Sequence, residues 1–117
     1  MREHSRYLML IVLALVPPSL PAEEKLEGHY IIGGAMDTNG SVSSGNERLY
    51  MRIFGDSAAH IYTAMKAKEL LDACSGNKYK SINGLVCYEV APGSTYECGF
   101  SINLETGAIG TGNIGAC

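Results

Sequence analysis

Alternation of apolar and polar side chains marks the strands of this chain. The pattern is clearest at residues 47–54, where Leu49, Met51 and Ile53 point to one side and the residues between them point to the other. Aromatic and β-branched residues between turn signals predict the remaining extended segments. The predicted segments are 28–36, 47–54, 78–82, 85–90, 95–103 and, as a weak last strand or an extended tail, 108–117.

A tight reversal is predicted between the two strongest of these segments. Pro92-Gly93 stands at its centre, and this dipeptide is typical of a β-turn. If the hairpin is centred there, residues whose numbers sum to 185 face each other, so that Cys87 lies opposite Cys98. Both cysteines then occupy adjacent antiparallel strands.

One helix is predicted after the strand at 47–54. A single apolar stripe has the helical spacing i, i+3, i+4 and i+7, and Asp56 or Ser57 is placed to cap its start. Residues 67–74 carry their apolar groups on the opposite side of the helical wheel, so we expect a break near Lys66. The stripe consists of Ala58, Ile61, Tyr62 and Met65.

These elements predict an α+β fold in one small domain. The expected sheet is antiparallel, with about four strands contributed by an N-terminal and a C-terminal hairpin, and the helix packs on one face. No linker-like stretch or internal repeat interrupts residues 28–117. We therefore expect residues 23–117 to form a single disulfide-stabilised domain.

The first 22 residues have the order of a secretory signal. Residues 1–6 are net positive, residues 7–16 are apolar, and prolines lead to Ala22, the small residue expected beside the cleavage site. The apolar run is about half of the roughly 20 residues needed to cross a bilayer. The sequence thus predicts a secreted or periplasmic protein without a permanent membrane anchor.

Charge argues against nucleic acid as a partner. Removal of the leader leaves seven basic and eleven acidic residues, a net charge of −4, whereas duplex binding requires a basic face. The acidic residues are scattered along the chain apart from a group at residues 23–27. We expect no nucleic acid ligand and no cofactor.

All four cysteines follow the leader, and an even number in a small exported chain is typical of disulfides. The spacings lack the Cys-x2-4-Cys pattern of a zinc site, so no metal is expected. Because the pleat gives directly opposed cysteines on neighbouring strands a poor geometry for a relaxed disulfide, we expect each to bond elsewhere. The preferred pairs are Cys74–Cys87 and Cys98–Cys117, with Cys74–Cys98 and Cys87–Cys117 as the alternative.

Two groups of side chains are candidates for binding a partner. Tyr50, Phe54 and Tyr88 are expected on the sheet face that the helix leaves uncovered, where aromatic residues supply contact area at low entropic cost. Lys78, Tyr79 and Lys80, together with Lys66 and Lys68 near the helix end, are expected to form a small basic and aromatic spot that fits an acidic partner or a glycan. Solvated lysine is the alternative interpretation of the second group.

No catalytic residues are predicted. With the cysteines oxidised there is no thiolate, no Gly-x-Ser-x-Gly motif is present, and His29 and His60 lack an evident partner in the sequence. The leading hypothesis is a non-enzymatic exported binding protein, such as an inhibitor or immunity-type protein acting on another secreted or envelope protein. The alternatives are a structural or accessory protein of the cell envelope and a small exported hydrolase.

Overall fold

The computed structural model describes residues 21–91 and 93–112, and the signal predicted at residues 1–22 lies almost wholly outside this part. It contains seven strands and one helix within the described residues. In chain order these are β1 (Gly28–Gly33), β2 (Arg48–Phe54), α1 (Gly55–Ala64), β3 (Leu70–Leu71), β4 (Lys78–Ile82), β5 (Leu85–Ala91), β6 (Thr95–Asn103) and β7 (Ile109–Gly110).

The strands form one antiparallel sheet in the order β1-β2-β6-β5-β4-β3, and β7 also pairs with β6. The α+β class and the helix on one face are confirmed, but the expected count of about four strands is too low. Leu70–Leu71 and Ile109–Gly110 are only two residues long, so no alternating pattern can reveal them. The central pair, β2 with β6, joins the two hairpins.

The predicted hairpin register is confirmed. Val86 faces Gly99, Cys87 faces Cys98, and the pairing shifts by one residue only next to the turn, between Glu89 and Ala91. The Ser94 amide donates to the carbonyl oxygen of Ala91 at 3.1 Å and closes the reversal. The turn residues at 91–94 therefore set the register of the longest hairpin, as their chemistry predicts.

The preferred disulfide pairing is wrong, because Cys87 and Cys98 are bonded to each other. Within the described residues there is one complete disulfide where two were expected. Both cysteines are fully buried, whereas Cys74 lies exposed in the turn after β3. Cys74 carries no free thiol, and Cys117 lies outside the described residues.

The hydrogen-bond alternation of the sheet explains why the opposed cysteines can bond. The Leu104 amide donates to Glu47 O at 2.8 Å, which makes every second β2–β6 pair, including Ile53 with Cys98, a hydrogen-bonded pair. On its other side Cys98 therefore meets Cys87 at a non-hydrogen-bonded position, where antiparallel strands approach most closely. Their Cα atoms are 4.0 Å apart.

The core lies between α1 and the sheet face that carries this disulfide. The predicted apolar stripe is confirmed, since Ala58, Tyr62 and Met65 are buried and Ile61 packs against them. On the sheet side the contacts come from Ile53, Leu85, Cys87, Tyr96, Cys98 and Phe100. Burial of these side chains away from water holds the helix on the sheet.

The helix begins and ends differently from its sequence signals. Phe54 is the N-cap and no side chain caps the first turn, because the Ser57 hydroxyl bonds the preceding segment at Lys25 and Glu27 instead. The helix ends at Ala64, two residues before the predicted break at Lys66. The expectation of an Asp56 or Ser57 cap is therefore wrong.

Candidate functional site

The sheet side away from α1, here called the open face, carries the residues that alternate with the core positions. The residues of β2 on the open face are Arg48, Tyr50, Arg52 and Phe54. The cross-strand registers place further side chains beside them. These neighbours are His29, Ile31, Leu70, Tyr79, Ser81, Val86, Tyr88, Glu97, Ser101 and Asn103.

One cross-strand row of the open face is rich in aromatic and apolar groups. Register places its five members side by side on β3, β4, β5, β6 and β2. We call this set the aromatic row, and it consists of Leu70, Tyr79, Tyr88, Glu97 and Phe54. Leu70 is 42% exposed, and the three aromatic side chains are half-buried.

Two tyrosines form the centre of this row. The rings of Tyr79 and Tyr88 stack with their centroids 5.1 Å apart and their planes 22° from parallel. Stacking of this kind contributes about 0.5–1.5 kcal/mol beyond the area it buries. The two stacked rings therefore form a flat surface in the chain by itself.

Charge at the other end of the row is neutralised internally. Arg52 donates from Nε and Nη2 to one carboxylate oxygen of Glu97, and its guanidinium lies 5.3 Å from the centre of the Phe54 ring. The edge of His29 meets the same ring, with centroids 5.5 Å apart. This end of the row thus combines an ion pair with an aromatic ring and presents no uncompensated carboxylate.

The electrostatics of the row keep Tyr88 neutral. Burial, with the negative charge of Asp72 nearby, raises the pKa of Tyr88, so its hydroxyl is protonated and able to donate. Hydrogen bonds from the Ser75 hydroxyl and the Cys74 amide lower the pKa of Asp72 and keep it ionised. The row therefore offers hydrogen-bond donors on an apolar background next to a fixed negative charge.

Tyr50 is on the open face as predicted but is not exposed. Only 5% of it is accessible, because its hydroxyl donates to Gly34 O at 2.7 Å in the loop that follows β1. Its cross-strand neighbour Ser101 is also buried, at 2%. Tyr50 is thus a structural residue, and the expectation that it is available to a partner is wrong.

The expected basic and aromatic spot is divided between the two sides of the sheet. Lys78 and Lys80 point toward the helix side, while Tyr79 between them belongs to the open face. Lys80 donates to the carbonyl oxygens of Tyr62 at 2.9 Å and Met65 at 3.3 Å. It stabilises the end of α1 and is not a free contact residue.

Lys78 is also engaged on the helix side. Its ammonium group lies 3.8 Å from a carboxylate oxygen of Glu69, and both side chains are about half exposed. Exposed pairs of this type contribute little to stability. Of the residues singled out as partner contacts in the sequence, Phe54, Tyr79 and Tyr88 share one surface, and the others do not join it.

Sequence reasoning missed Leu70, Arg52 and Glu97 as members of this surface. A signal for the tyrosine pair was available, because Asn83-Gly84 is a two-residue hairpin turn and fixes Tyr79 opposite Tyr88. Leu70 gave no signal, since Leu70-Leu71 reads equally well as the end of a helix. The Arg52–Glu97 ion pair depends on the β2–β6 pairing, which no local pattern specifies.

A serine, a histidine and a carboxylate also come together where the segment before β1 meets the start of α1. His60 Nδ1 lies 2.7 Å from Glu24 Oε2, and these residues line a surface pocket with Lys25, Asp56 and Ser57. The Ser57 hydroxyl, however, donates to Lys25 O at 3.1 Å and accepts from the Glu27 amide. Its proton is therefore not directed at His60, and the contacts serve to fasten the segment to the helix.

Comparison of the chain with protein-family models, curated proteins and solved structures finds no match. Among residues 21–91 and 93–112, no group of three or more histidine, cysteine or acidic side chains is placed to hold a metal ion. The same part of the chain contains no helix that is long and apolar enough to span a membrane.

Proposed function

We propose that this chain is an exported, non-enzymatic binding protein that docks another exported protein through the aromatic row of its open face. The observation that carries the proposal is the stacked Tyr79–Tyr88 pair, with Leu70 beside it and Phe54 further along the same row, on the sheet side without a helix. Tyrosine is enriched among residues that dominate binding energy, and a rigid ring pair loses little entropy on contact.

The chemistry of the row defines the partner. The Arg52–Glu97 pair neutralises its own charge, so a matching surface is apolar at its centre, with hydrogen-bond acceptors for the two tyrosine hydroxyls. The signal-like leader at residues 1–22 and a buried disulfide both suit an oxidising compartment outside the cytoplasm. A secreted or periplasmic protein is therefore the class of partner we propose.

The test is capture of a partner from the exported proteins of the same cell, followed by measurement of affinity with purified components. The variant Tyr79→Ser/Tyr88→Ser is expected to weaken binding at least about tenfold, since central interface aromatics commonly contribute 2 kcal/mol or more. The matched control is Ile109→Ser, which removes an exposed apolar side chain, 58% accessible, from the opposite side of the sheet.

Circular dichroism establishes that both variants remain folded before affinities are compared. Unchanged binding by the double tyrosine variant, or equal loss in Ile109→Ser, would refute docking through the aromatic row. Turnover of a substrate by the purified chain that is abolished by His60→Ala would instead support the hydrolase hypothesis.

A further inference from the structure

Strand β1 is an edge of the sheet, and within residues 21–91 and 93–112 no strand pairs with its outer side. It lies at one end of the strand order and carries three large apolar side chains in solvent: Tyr30 is 68% exposed, Ile31 48% and Ile32 50%. The segment Gly28–Gly33 contains no lysine, arginine, acidic residue or proline. Natural edge strands normally carry such residues because a bare apolar edge pairs with other strands.

The direction of the backbone groups along this edge follows from one hydrogen bond. The Phe54 amide donates to Glu27 O at 3.0 Å, so residues 29, 31 and 33 form the hydrogen-bonded pairs with β2. Gly28, Tyr30 and Ile32 therefore direct their N–H and C=O groups away from the sheet. The outer edge of β1 therefore presents three N–H donors and three C=O acceptors in one line.

The length of this line is limited at one end. The next outward amide, that of Gly34, already donates to Ser43 O at 2.9 Å, because the chain folds back after β1. The available stretch is thus residues 28–32, and Tyr30 is at its centre. The outward backbone groups are spaced evenly on both sides of Tyr30, and the stretch carries no acidic residue, lysine or arginine. Two copies of it can therefore pair with each other in antiparallel orientation.

We infer that β1 pairs antiparallel with β1 of a second copy, about a two-fold axis that passes next to Tyr30. In this register Tyr30 faces Tyr30, and Gly28 faces Ile32 of the other copy in both directions. All six outward groups of each chain are then used, giving six hydrogen bonds. The two sheets become one continuous sheet.

The side chains agree with this register. On the helix side the two Tyr30 rings come together as a cross-strand aromatic pair, and each Ile32 covers a glycine that offers no competing side chain. On the open face, Ile31 of one copy lies opposite His29 of the other in this register, since both side chains point to that side of the sheet. No like charges are opposed, so the pairing buries the apolar side chains of β1 without an electrostatic cost.

Sedimentation velocity of the purified chain over a wide concentration range tests the inference. We expect a reversible monomer–dimer equilibrium. Tyr30→Lys places two ammonium groups opposite each other and is expected to weaken the dimer at least about tenfold, while Ile109→Lys, an equally exposed site on β7, leaves it unchanged.

The register has its own test by oxidative cross-linking. In the proposed register His29 of one copy lies opposite Ile31 of the other at a non-hydrogen-bonded position, where opposed side chains approach most closely, so a mixture of His29→Cys and Ile31→Cys chains is expected to give a covalent dimer. Ile31→Cys alone, whose counterpart lies diagonally across, is expected to cross-link poorly. The reverse order of yields would contradict the register.

A chain that stays monomeric at every concentration would overturn the inference. Binding of an uncharged extended peptide to a monomeric chain would overturn it as well, since the edge would then serve a different strand. The outcome is separate from docking through the aromatic row, because Tyr30 lies on another strand and on the other side of the sheet from Tyr79 and Tyr88.

Discussion

Three tyrosine side chains owe their acid–base behaviour to where the fold places them. Burial raises the pKa of Tyr62, and its hydrogen bond to Glu69 Oε2 at 2.6 Å raises it further. Burial and Glu89 have the same effect on the pKa of Tyr96, and burial and Asp72 act on Tyr88. In each case a nearby carboxylate adds to desolvation, because both disfavour a second negative charge.

We expect these tyrosines to ionise above the usual pKa of about 10. In the unfolded chain they release their protons first, so the free energy of unfolding should fall as the pH rises above about 10. Titration followed by tyrosinate absorbance should show a deficit in the native chain relative to the chain in denaturant, and Tyr62→Phe should reduce that deficit. Coincident native and denatured curves would contradict the prediction.

Individual residues also show where a sequence stops being informative. Tyr50 alternates correctly, yet its burial depends on Gly34, sixteen residues earlier, which no local pattern connects to it. Lys80 resembles a solvated lysine until the end of α1 is known to lie above it. In both cases the side-chain direction was predictable from the pleat, whereas the group that meets it was a product of tertiary structure.

Among the elements, α1 depends on a strand for its C-terminus. No basic residue lies in its last turn, and Lys80 on β4 supplies the missing cation to the carbonyl oxygens of Tyr62 and Met65. The ammonium group is also 4.7 Å from the centre of the Tyr62 ring. The Lys80 ammonium group thus makes two hydrogen bonds, a cation–π contact and a favourable interaction with the helix dipole.

Lys80→Met keeps the apolar stem but removes these interactions. We expect it to lower the free energy of unfolding by about 1–2 kcal/mol, measured by urea denaturation. The matched control is Lys78→Met, two residues away on the same side of β4, whose exposed pair with Glu69 should contribute less than about 0.5 kcal/mol. Equal effects of the two substitutions would show that Lys80 does not stabilise the helix end.

Elements with their own local signal were predictable. The β5–β6 hairpin follows from its turn, and α1 follows from the stripe of Ala58, Tyr62 and Met65. The order of strands in the sheet could not be predicted, because β2 pairs with β6, which is about half of the chain away in sequence. Strand β3 was missed because two residues carry no period, whereas β7 lies within residues 108–117, for which a weak last strand or an extended tail is predicted. At Gly84, the lack of a side chain lets the Gly110 backbone approach, a role that no sequence pattern revealed.

The whole molecule is organised around the Cys87–Cys98 bond, which lies beneath Ala58 at the point where helix and sheet meet. These cysteines lie opposite each other as the sequence predicts, but they bond each other because their pair is of the non-hydrogen-bonded kind. At a non-hydrogen-bonded position both side chains leave the same face of the sheet at close range. The helix above them then excludes any partner from outside the hairpin.

Cys87→Ala/Cys98→Ala is expected to lower the free energy of unfolding by about 2–4 kcal/mol. This is a large share of the roughly 5–15 kcal/mol typical of small domains. Chemical denaturation of the oxidised parent and the double variant measures the difference. A difference below about 1 kcal/mol would mean that packing alone holds this hairpin.

Peptide mapping under non-reducing conditions provides the control for connectivity. Cleavage after lysine and glutamate places Cys87 in fragment 81–89 and Cys98 in fragment 98–105. The structure predicts that these two fragments stay linked until reduction. A link from fragment 98–105 to fragment 106–117 would instead support the pairing first inferred from sequence.

The central position of β6 has a consequence for when the chain can fold. Strand β2 precedes its inner partner β6, which ends at Asn103, and β5 and β7 also need β6 beside them. Contacts between distant segments form slowly and only once both segments are present. A chain threaded with its N-terminus first through a narrow channel would therefore leave these strands without their central partner until Asn103 has emerged, so that the topology itself delays folding.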